Sequence, residues 1–368
     1  MSDGKIIFMA LGGAQEVGAS CYFLKLGDNN LLLDCGCGYT RGIRFAPQFN
    51  VLLNTPYLQD FHQISHVILS HAHLDHSAAL PDFLKLNERA AVYMTNLTRE
   101  IIAAQFEERF APIEQNISNV AYLQNIPLHD MSVSFHQAGH IPGAMMTLIR
   151  FRGKNILYTG DYSTFPTSLV GAALLPKVKI DIMIICGLHA RHPYYERYGD
   201  TDRVLKKFLS NIYHALRRGK SVYCQVTQIS KGVELITLIN KFLPTVRVVI
   251  DERVMQIVHR FEKVQIPIMT DKDYPLSSMP RSPYIILSTL PPPAHTRLKI
   301  VFGDFSLHDD FPATVDFVRR VNPKVCVVVH SPPDKLYHTD TTLEQVLIND
   351  PDSDTSFVFP RTGELFEL

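Results

Sequence analysis

The sequence predicts an α/β protein: a strand-rich first part followed by a smaller module of alternating strands and helices, with a length that suits two or three domains or one large domain carrying an insertion. Three observations lead there. Short apolar runs bounded by turn residues dominate the first 190 residues, strands and helices alternate after Arg191, and four metal-ligand side chains crowd the end of one buried strand.

The elements follow in order. Lys5–Leu11, Cys21–Leu26 and Asn30–Asp34 read as strands, the last two joined across a Gly-Asp-Asn turn. His66–Ser70 is a short buried strand, and Ser77–Leu86 has helical periodicity. Ala91–Met94, Val133–His136, Ala144–Phe151, Asn155–Tyr158 and the strongly apolar Asp181–Cys186 continue the strand series. Thr201–Leu216 is a long amphipathic helix, followed by strand Ser221–Val226 and helix Lys231–Phe242. Val246–Ile250 and Tyr284–Ser288 are strands separated by helix Val254–Phe261, the alternation of a small parallel sheet. The proline-rich Leu290–Pro293 ends the module. Helix Phe311–Val321, strand Lys324–Val329 and a closing hairpin over Phe357–Leu368 complete the chain. No internal repeat or low-complexity tract interrupts it.

Composition narrows the function classes. The 368 residues carry 36 basic and 36 acidic side chains, with 46% hydrophobic and 20% charged residues. That balance excludes disordered, collagen-like and histone-like chains. No apolar run approaches the ~20 residues that span a bilayer, and Met1–Lys5 lacks the basic start of a signal peptide. Six cysteines are too sparse for a disulfide framework, so a reduced, intracellular protein is expected, in cytoplasm or nucleus. The neutral total hides an asymmetry: Thr201–Ala294 holds 14 Lys/Arg against 7 Asp/Glu. A basic module on an acidic body suggests a polyanionic partner, although basic helix faces are also often merely solvated.

The strongest chemical signal is His71-Ala72-His73-Leu74-Asp75-His76, directly after a strand. An extended backbone points His71 and His73 the same way. Asp75 and His76, at the turn into a helix, can face a second metal. Further donors stand at other strand ends: His140 in Gln137-Ala138-Gly139-His140, Asp161 in Tyr158-Thr159-Gly160-Asp161, and His330 after Val327-Val328-Val329. Each alone is weak, since a lone His is more often a hydrogen-bonded structural residue. Together they make an inventory of five His and two Asp suited to two zinc ions with positions left for solvent.

The order Asp34, His71-x-His73-x-Asp75-His76, His140, Asp161 resembles the metallo-β-lactamase hydrolase family. Leu11-Gly12-Gly13-Ala14-Gln15-Glu16-Val17-Gly18-Ala19-Ser20-Cys21, Leu33-Asp34-Cys35-Gly36 and Ala138-Gly139-His140-Ile141-Pro142-Gly143 resemble its β-CASP nucleic-acid branch. That branch includes the endonucleases of the cleavage and polyadenylation machinery and of Integrator. Asp304-Phe305-Ser306-Leu307-His308-Asp309-Asp310 is similar to the branch's motif B, and Val329-His330-Ser331 to its motif C. Ser221–Leu235 resembles the branch's strand and helix after a Gly-Lys turn, with Lys231 where relatives carry Arg.

The resemblance implies a four-layer αββα metallo-β-lactamase sandwich from residues 1–200 and 295–368, with a reduced β-CASP-like insert over 201–294. It further implies two Zn²⁺ per chain, one held by His71, His73 and His140, the other by Asp75, His76 and His330, with Asp161 bridging. Asp34 would stand behind the ligands and orient one of them. Asp75 and His308 are the candidates for catalysis, His308 as the acid that protonates the departing 3′ oxygen. Lys206, Lys207, Arg217, Arg218 and Lys231 are the candidates for holding single-stranded RNA. Two departures stand out. Relatives carry Asp or Glu (motif A) where this chain has Cys186, in Cys186-Gly187-Leu188-His189-Ala190; His189 or Asp309 could substitute for it. The stretch from Phe242 to His308, about 65 residues, is less than half the usual length. The expected function is therefore zinc-dependent cleavage of RNA, endonucleolytic by default. The alternatives are a catalytically weakened, metal-binding subunit of an RNA-processing complex, with a homodimer also open, and a small-molecule metallohydrolase of the same fold.

Overall fold

The computed structural model describes residues 4–190, 201–278, 280–281, 283–301, 306–332, 342–348, 350 and 353–368. The chain begins with β1 (Ile6–Gly12), β2 (Cys21–Leu26) and β3 (Asn29–Leu33), an antiparallel meander. A small hairpin follows, β4 (Gly38–Thr40) and β5 (Ile43–Phe45). β6 (His66–Ile68), β7 (Ala91–Thr95) and β8 (Ile117–Val120) then join β3 in parallel. Helices α1 (Leu74–Ser77), α2 (Leu80–Leu86) and α3 (Asn96–Phe106) make the crossovers. The helix expected over Ser77–Leu86 is thus split: Pro81 falls in the first turn of α2, where its missing N–H costs nothing. Helix α3 was not expected. Its one local mark is Thr95, whose side chain accepts from the Thr98 N–H at the N-terminus.

β9 (Asn125–Leu128), β10 (Met131–Gln137), β11 (Met145–Phe151) and β12 (Lys154–Tyr158) form an antiparallel run, and β13 (Ile182–Cys186) adds in parallel. β13 is buried at every residue, which explains its unbroken apolar sequence.

The smaller unit, Pro166–Gly171 with Tyr195–Leu307, is separately organised. Its helices are α4 (Thr201–Arg217), α5 (Lys231–Phe242) and α6 (Glu252–Lys263). Its strands are β14 (Val222–Gln225), β15 (Arg247–Ile250), β16 (Asp273–Pro275), β17 (Tyr284–Ser288) and β18 (Lys299–Ile300). All pair in parallel, in the order β16-β15-β17-β14-β18, as the alternating pattern predicts. Asp251 holds this sheet's carboxyl edge together: it caps α6 and also accepts from the Ser288 hydroxyl and the Thr289 N–H.

Back in the body come α7 (Phe311–Val321), β19 (Val325–Val329), α8 (Leu343–Leu347), β20 (Ser356–Val358) and β21 (Leu365–Glu367). The closing hairpin is a misreading. β20 lies parallel to β19, while β21 lies antiparallel to β1 in the other sheet, so the turn between them crosses from one sheet to the other. The two seven-stranded sheets run β21-β1-β2-β3-β6-β7-β8 and β20-β19-β13-β12-β11-β10-β9. Their facing side chains, among them Phe8, Tyr22, Leu24, Leu33, Phe135, Ile149, Tyr158 and Val327, make one core, with helices on the outer faces as an αββα sandwich requires.

Candidate metal centre

The predicted donors meet at the carboxyl ends of the strands. His71 lies three residues beyond β6, His140 three beyond β10, Asp161 three beyond β12, and His330 directly after β19. Getting them there bends the backbone. Asp34, His140 and His330 take left-handed conformations, with φ of 59°, 57° and 52°. For non-glycine residues this costs about 1–2 kcal/mol each and concentrates at functional sites. The His71–His76 loop is clamped from behind: Ser20 N–H donates to Asp75 O, Cys35 N–H to His76 O, and Cys37 N–H to Leu74 O. Gly36 makes that clamp possible, since a Cβ there would lie 1.8 Å from the Asp75 carbonyl oxygen.

Asp34 orders the imidazoles. It is fully buried, and its carboxylate accepts from the Ser70 N–H (2.6 Å), the Ser70 hydroxyl (2.7 Å), His76 Nδ1 (2.7 Å) and the Tyr158 hydroxyl (2.5 Å). With the Ser70 proton committed to Asp34, the 2.9 Å contact between Ser70 Oγ and His71 Nδ1 makes His71 the donor. The Nε2 atoms of His71 and His76 are thereby turned into the site. Ser20 Oγ lies 3.0 Å from His330 Nδ1. Ser70 and Tyr158 carry no sequence signal of their own, because the partner they share, Asp34, is distant in the chain.

Two groups of donors result. His71 Nε2, His73 Nδ1, His140 Nε2 and Asp161 Oδ2 surround one point, at 3.0 Å (His71–His73), 3.2 Å (His73–His140), 3.6 Å (His71–Asp161) and 3.7 Å (His140–Asp161). Tetrahedral zinc, with bonds of about 2.0–2.1 Å, has ligand–ligand edges of about 3.3–3.4 Å. Asp75, His76 and His330 form the second group. There Asp161 presents its other oxygen, Oδ1, 3.4 Å from His76 Nε2; this oxygen is buried and has no hydrogen-bond partner among the described residues. The donor set therefore fits divalent cations: converging lone pairs in one group, and a carboxylate oxygen left open toward the other.

The electrostatics separate the two groups: neutral imidazoles in the first, and in the second a His76 whose Nε2 proton a cation would have to displace. Burial, then the neighbouring imidazoles, push His71 well below its ordinary value and His73 down to about 4, so both stand neutral. Burial works against a charged His76, but Asp161, Asp75 and Asp34 overcome it and raise His76 well above normal. Burial likewise opposes a charged Asp161, yet His76, His308 and His330 hold its carboxyl well below the usual range.

Residues 29–199, a little under half of the chain, match the Beta-lactamase superfamily domain. The chain is 30% identical over 256 residues to Integrator complex subunit 11 of Danio rerio. It is 28% identical to cleavage and polyadenylation specificity factor subunit 3 of Dictyostelium discoideum and to endoribonuclease YSH1 of Gibberella zeae. These alignments cover 63–65% of this chain but 41%, 31% and 30% of those relatives, so the chain spans well under half their length. A solved protein of unknown function from Enterococcus faecalis V583 has the same fold over 99% of the chain, with a TM-score of 0.67 at 14% identity.

The structure also brings His308 to the donor cluster, its Nε2 3.7 Å from Asp161 Oδ2 and its ring 4.3 Å from that of His140. Burial, then His140, lowers its imidazole well below the ordinary value. The start of its motif, Asp304-Phe305, lies outside the described residues. Lys206, Lys207 and Arg217 are exposed on α4, Arg218 is exposed in the turn directly after it, and Lys231 is half-buried at the start of α5. On α4 Lys206 and Arg217 stand about three turns apart, so they share one face with Lys207 beside it. The opposite face buries Phe208, Ile212 and Ala215.

Tyr162, Cys186, His189, His308, Asp309 and Thr314 line a cavity of about 10 Å³, room for one water molecule. Asp309 accepts from the Thr164 N–H at 2.7 Å, while its Oδ2 has no partner among the described residues; burial raises its carboxyl to about 6. A carboxyl raised in the fold gives stability that is full below its unfolded pKa of about 4 and lost as pH rises through about 6. Asp309→Asn keeps the Thr164 contact and stays neutral. The metal-free variant is expected to match the parent at about pH 4 and exceed it by roughly 2 kcal/mol above pH 7, read from urea midpoints across that range.

Proposed function

We propose that this chain is a zinc-dependent phosphodiesterase that cleaves single-stranded RNA internally. The observation that carries the reading is Asp161, whose two oxygens face two separate groups of buried donors. His71, His73 and His140 would hold one ion, Asp75, His76 and His330 the other, and Asp161 both. Two zinc ions supply Lewis acidity toward a phosphate and make water acidic enough to attack at neutral pH. The chain's own residues do the rest. Asp34 fixes the tautomers that aim His71 and His76, and Asp75, a third exposed, faces solvent where an attacking water would lie. His308, beside Asp161, is placed to protonate the departing 3′ oxygen. Its lowered pKa leaves it neutral at pH 7 in the free protein, so this role depends on the negative phosphate, which favours the imidazolium on binding.

We assign the smaller unit as the β-CASP-like clamp, with Lys206, Lys207, Arg217, Arg218 and Lys231 contacting RNA phosphates. Neutralising the first four is expected to weaken RNA binding roughly tenfold or more and to flatten log K against log salt by about 2–3. Filter binding at several salt concentrations reads both; an unchanged slope rejects this clamp. The names of the relatives support an RNA-processing complex as the setting, in cytoplasm or nucleus, with a homodimer as the other assembly. No helix among the described residues is long and apolar enough to cross a membrane.

Cys186 favours a second reading, a metal-binding subunit with weakened catalysis, because a thiol stands where relatives carry an acid. End-labelled RNA incubated with zinc-loaded protein separates the two. Internal cuts that vanish with chelator and in His71→Ala are expected for the nuclease; intact RNA with zinc still bound supports the subunit.

A further inference from the structure

Three adjacent parallel strands, β12, β13 and β19, end side by side. Tyr158 pairs with Ile184, and Cys186 with Val329. Cys186 therefore closes the central strand of a row whose flanking strands deliver Asp161 and His330 just beyond it. Its position is fixed on both sides: Cys186 N–H donates to Thr159 Oγ1 at 3.1 Å, and Gly187 N–H to the Val329 carbonyl at 2.7 Å. The outcome is a third group of converging donors. The Cys186 sulfur, an Asp161 oxygen and a His330 nitrogen lie within 4.8 Å of one another, all buried. Asp161 Oδ1, on the His76 side, is the buried oxygen with no hydrogen-bond partner among the described residues.

We propose that Cys186 is itself a metal ligand, a thiolate added to the Asp75–His76–His330 position. It would thereby bias that position toward thiophilic divalent cations such as zinc and cobalt over magnesium or manganese. On binding, a metal–sulfur bond replaces the sulfur–hydrogen bond and the proton leaves to solvent. The inference rests on the reading that the cluster holds metal, and it gives the substitution at Cys186 a role other than a lost acid.

The test is the absorption spectrum of the full chain loaded with two equivalents of Co²⁺, beside Cys186→Ser loaded alike. Visible ligand-field bands report that metal is bound; a near-ultraviolet sulfur-to-cobalt charge-transfer band reports a thiolate ligand. The expected result is both features in the parent and, in Cys186→Ser, retained ligand-field bands with the charge-transfer band gone. That variant should also hold its weaker metal on the order of tenfold less tightly, or more weakly still. Ligand-field bands without a charge-transfer band in the parent would overturn the proposal and leave the metal reading standing. No bands at all would overturn both. If Cys186→Ser does not fold, zinc-edge X-ray absorption of the parent decides: a sulfur neighbour at about 2.3 Å supports the proposal, and a shell of nitrogen and oxygen alone refutes it.

Discussion

Asp161→Asn is expected to abolish RNA cleavage, with a fall of about 10³-fold or more, and to reduce bound metal. Asp161 is the residue common to both donor groups: Oδ2 faces His71 and His140, and Oδ1 faces His76. The carboxamide keeps its volume but offers one acceptor oxygen and no charge, so it can serve one group at most. It also removes the negative charge that, with Asp75 and Asp34, sustains a raised His76. The discriminating readout is a parallel measurement of metal content and cleavage, with circular dichroism to establish folding. Near-native cleavage with a full metal complement would remove Asp161 from the centre of the account.

The second large effect is expected at Asp34. Asp34→Ala strands the Ser70 N–H, the Ser70 hydroxyl, His76 Nδ1 and the Tyr158 hydroxyl without their acceptor, all in the core. A loss of about 3–5 kcal/mol is expected, read as a lowered urea midpoint. The left-handed backbone of residue 34 adds strain for alanine that asparagine tolerates better. Asp34→Asn should therefore fold more securely than Asp34→Ala while losing about 10–100-fold in metal affinity, because the anchors of His71 and His76 are weakened. Equal metal affinity in Asp34→Asn and the parent would mean that the carboxylate does not orient the ligands.

What the sequence made legible follows from the range of each interaction. The two-residue spacing of His71 and His73 at a strand end is local, and so readable; so is the turn at Gly139, whose φ is 72°. The parallel sheet of the smaller unit was legible because its strands and helices alternate. Residues acting across strands were not: Tyr158 reads as one more core aromatic until β12 is set opposite Asp34. The closing strands failed for the same reason. Ser356–Val358 and Leu365–Glu367 look like hairpin arms, but each completes a different sheet. Helix α3 was hidden because its apolar Leu97, Ile101 and Ile102 follow the strand residues of β7 with no glycine or proline between. For His308, sequence placed the residue beside the donors, but its lowered pKa arises from burial and from His140, reached only through the fold.

The most direct test of the central claim is the number of metal ions bound by the purified full chain, counted by native mass spectrometry after zinc loading and removal of excess. Two zinc ions per chain are predicted, falling to one or none in Asp161→Asn. A parent chain that retains no zinc would contradict the account at its base, and one that retains a single ion unaffected by Asp161→Asn would contradict the shared carboxylate.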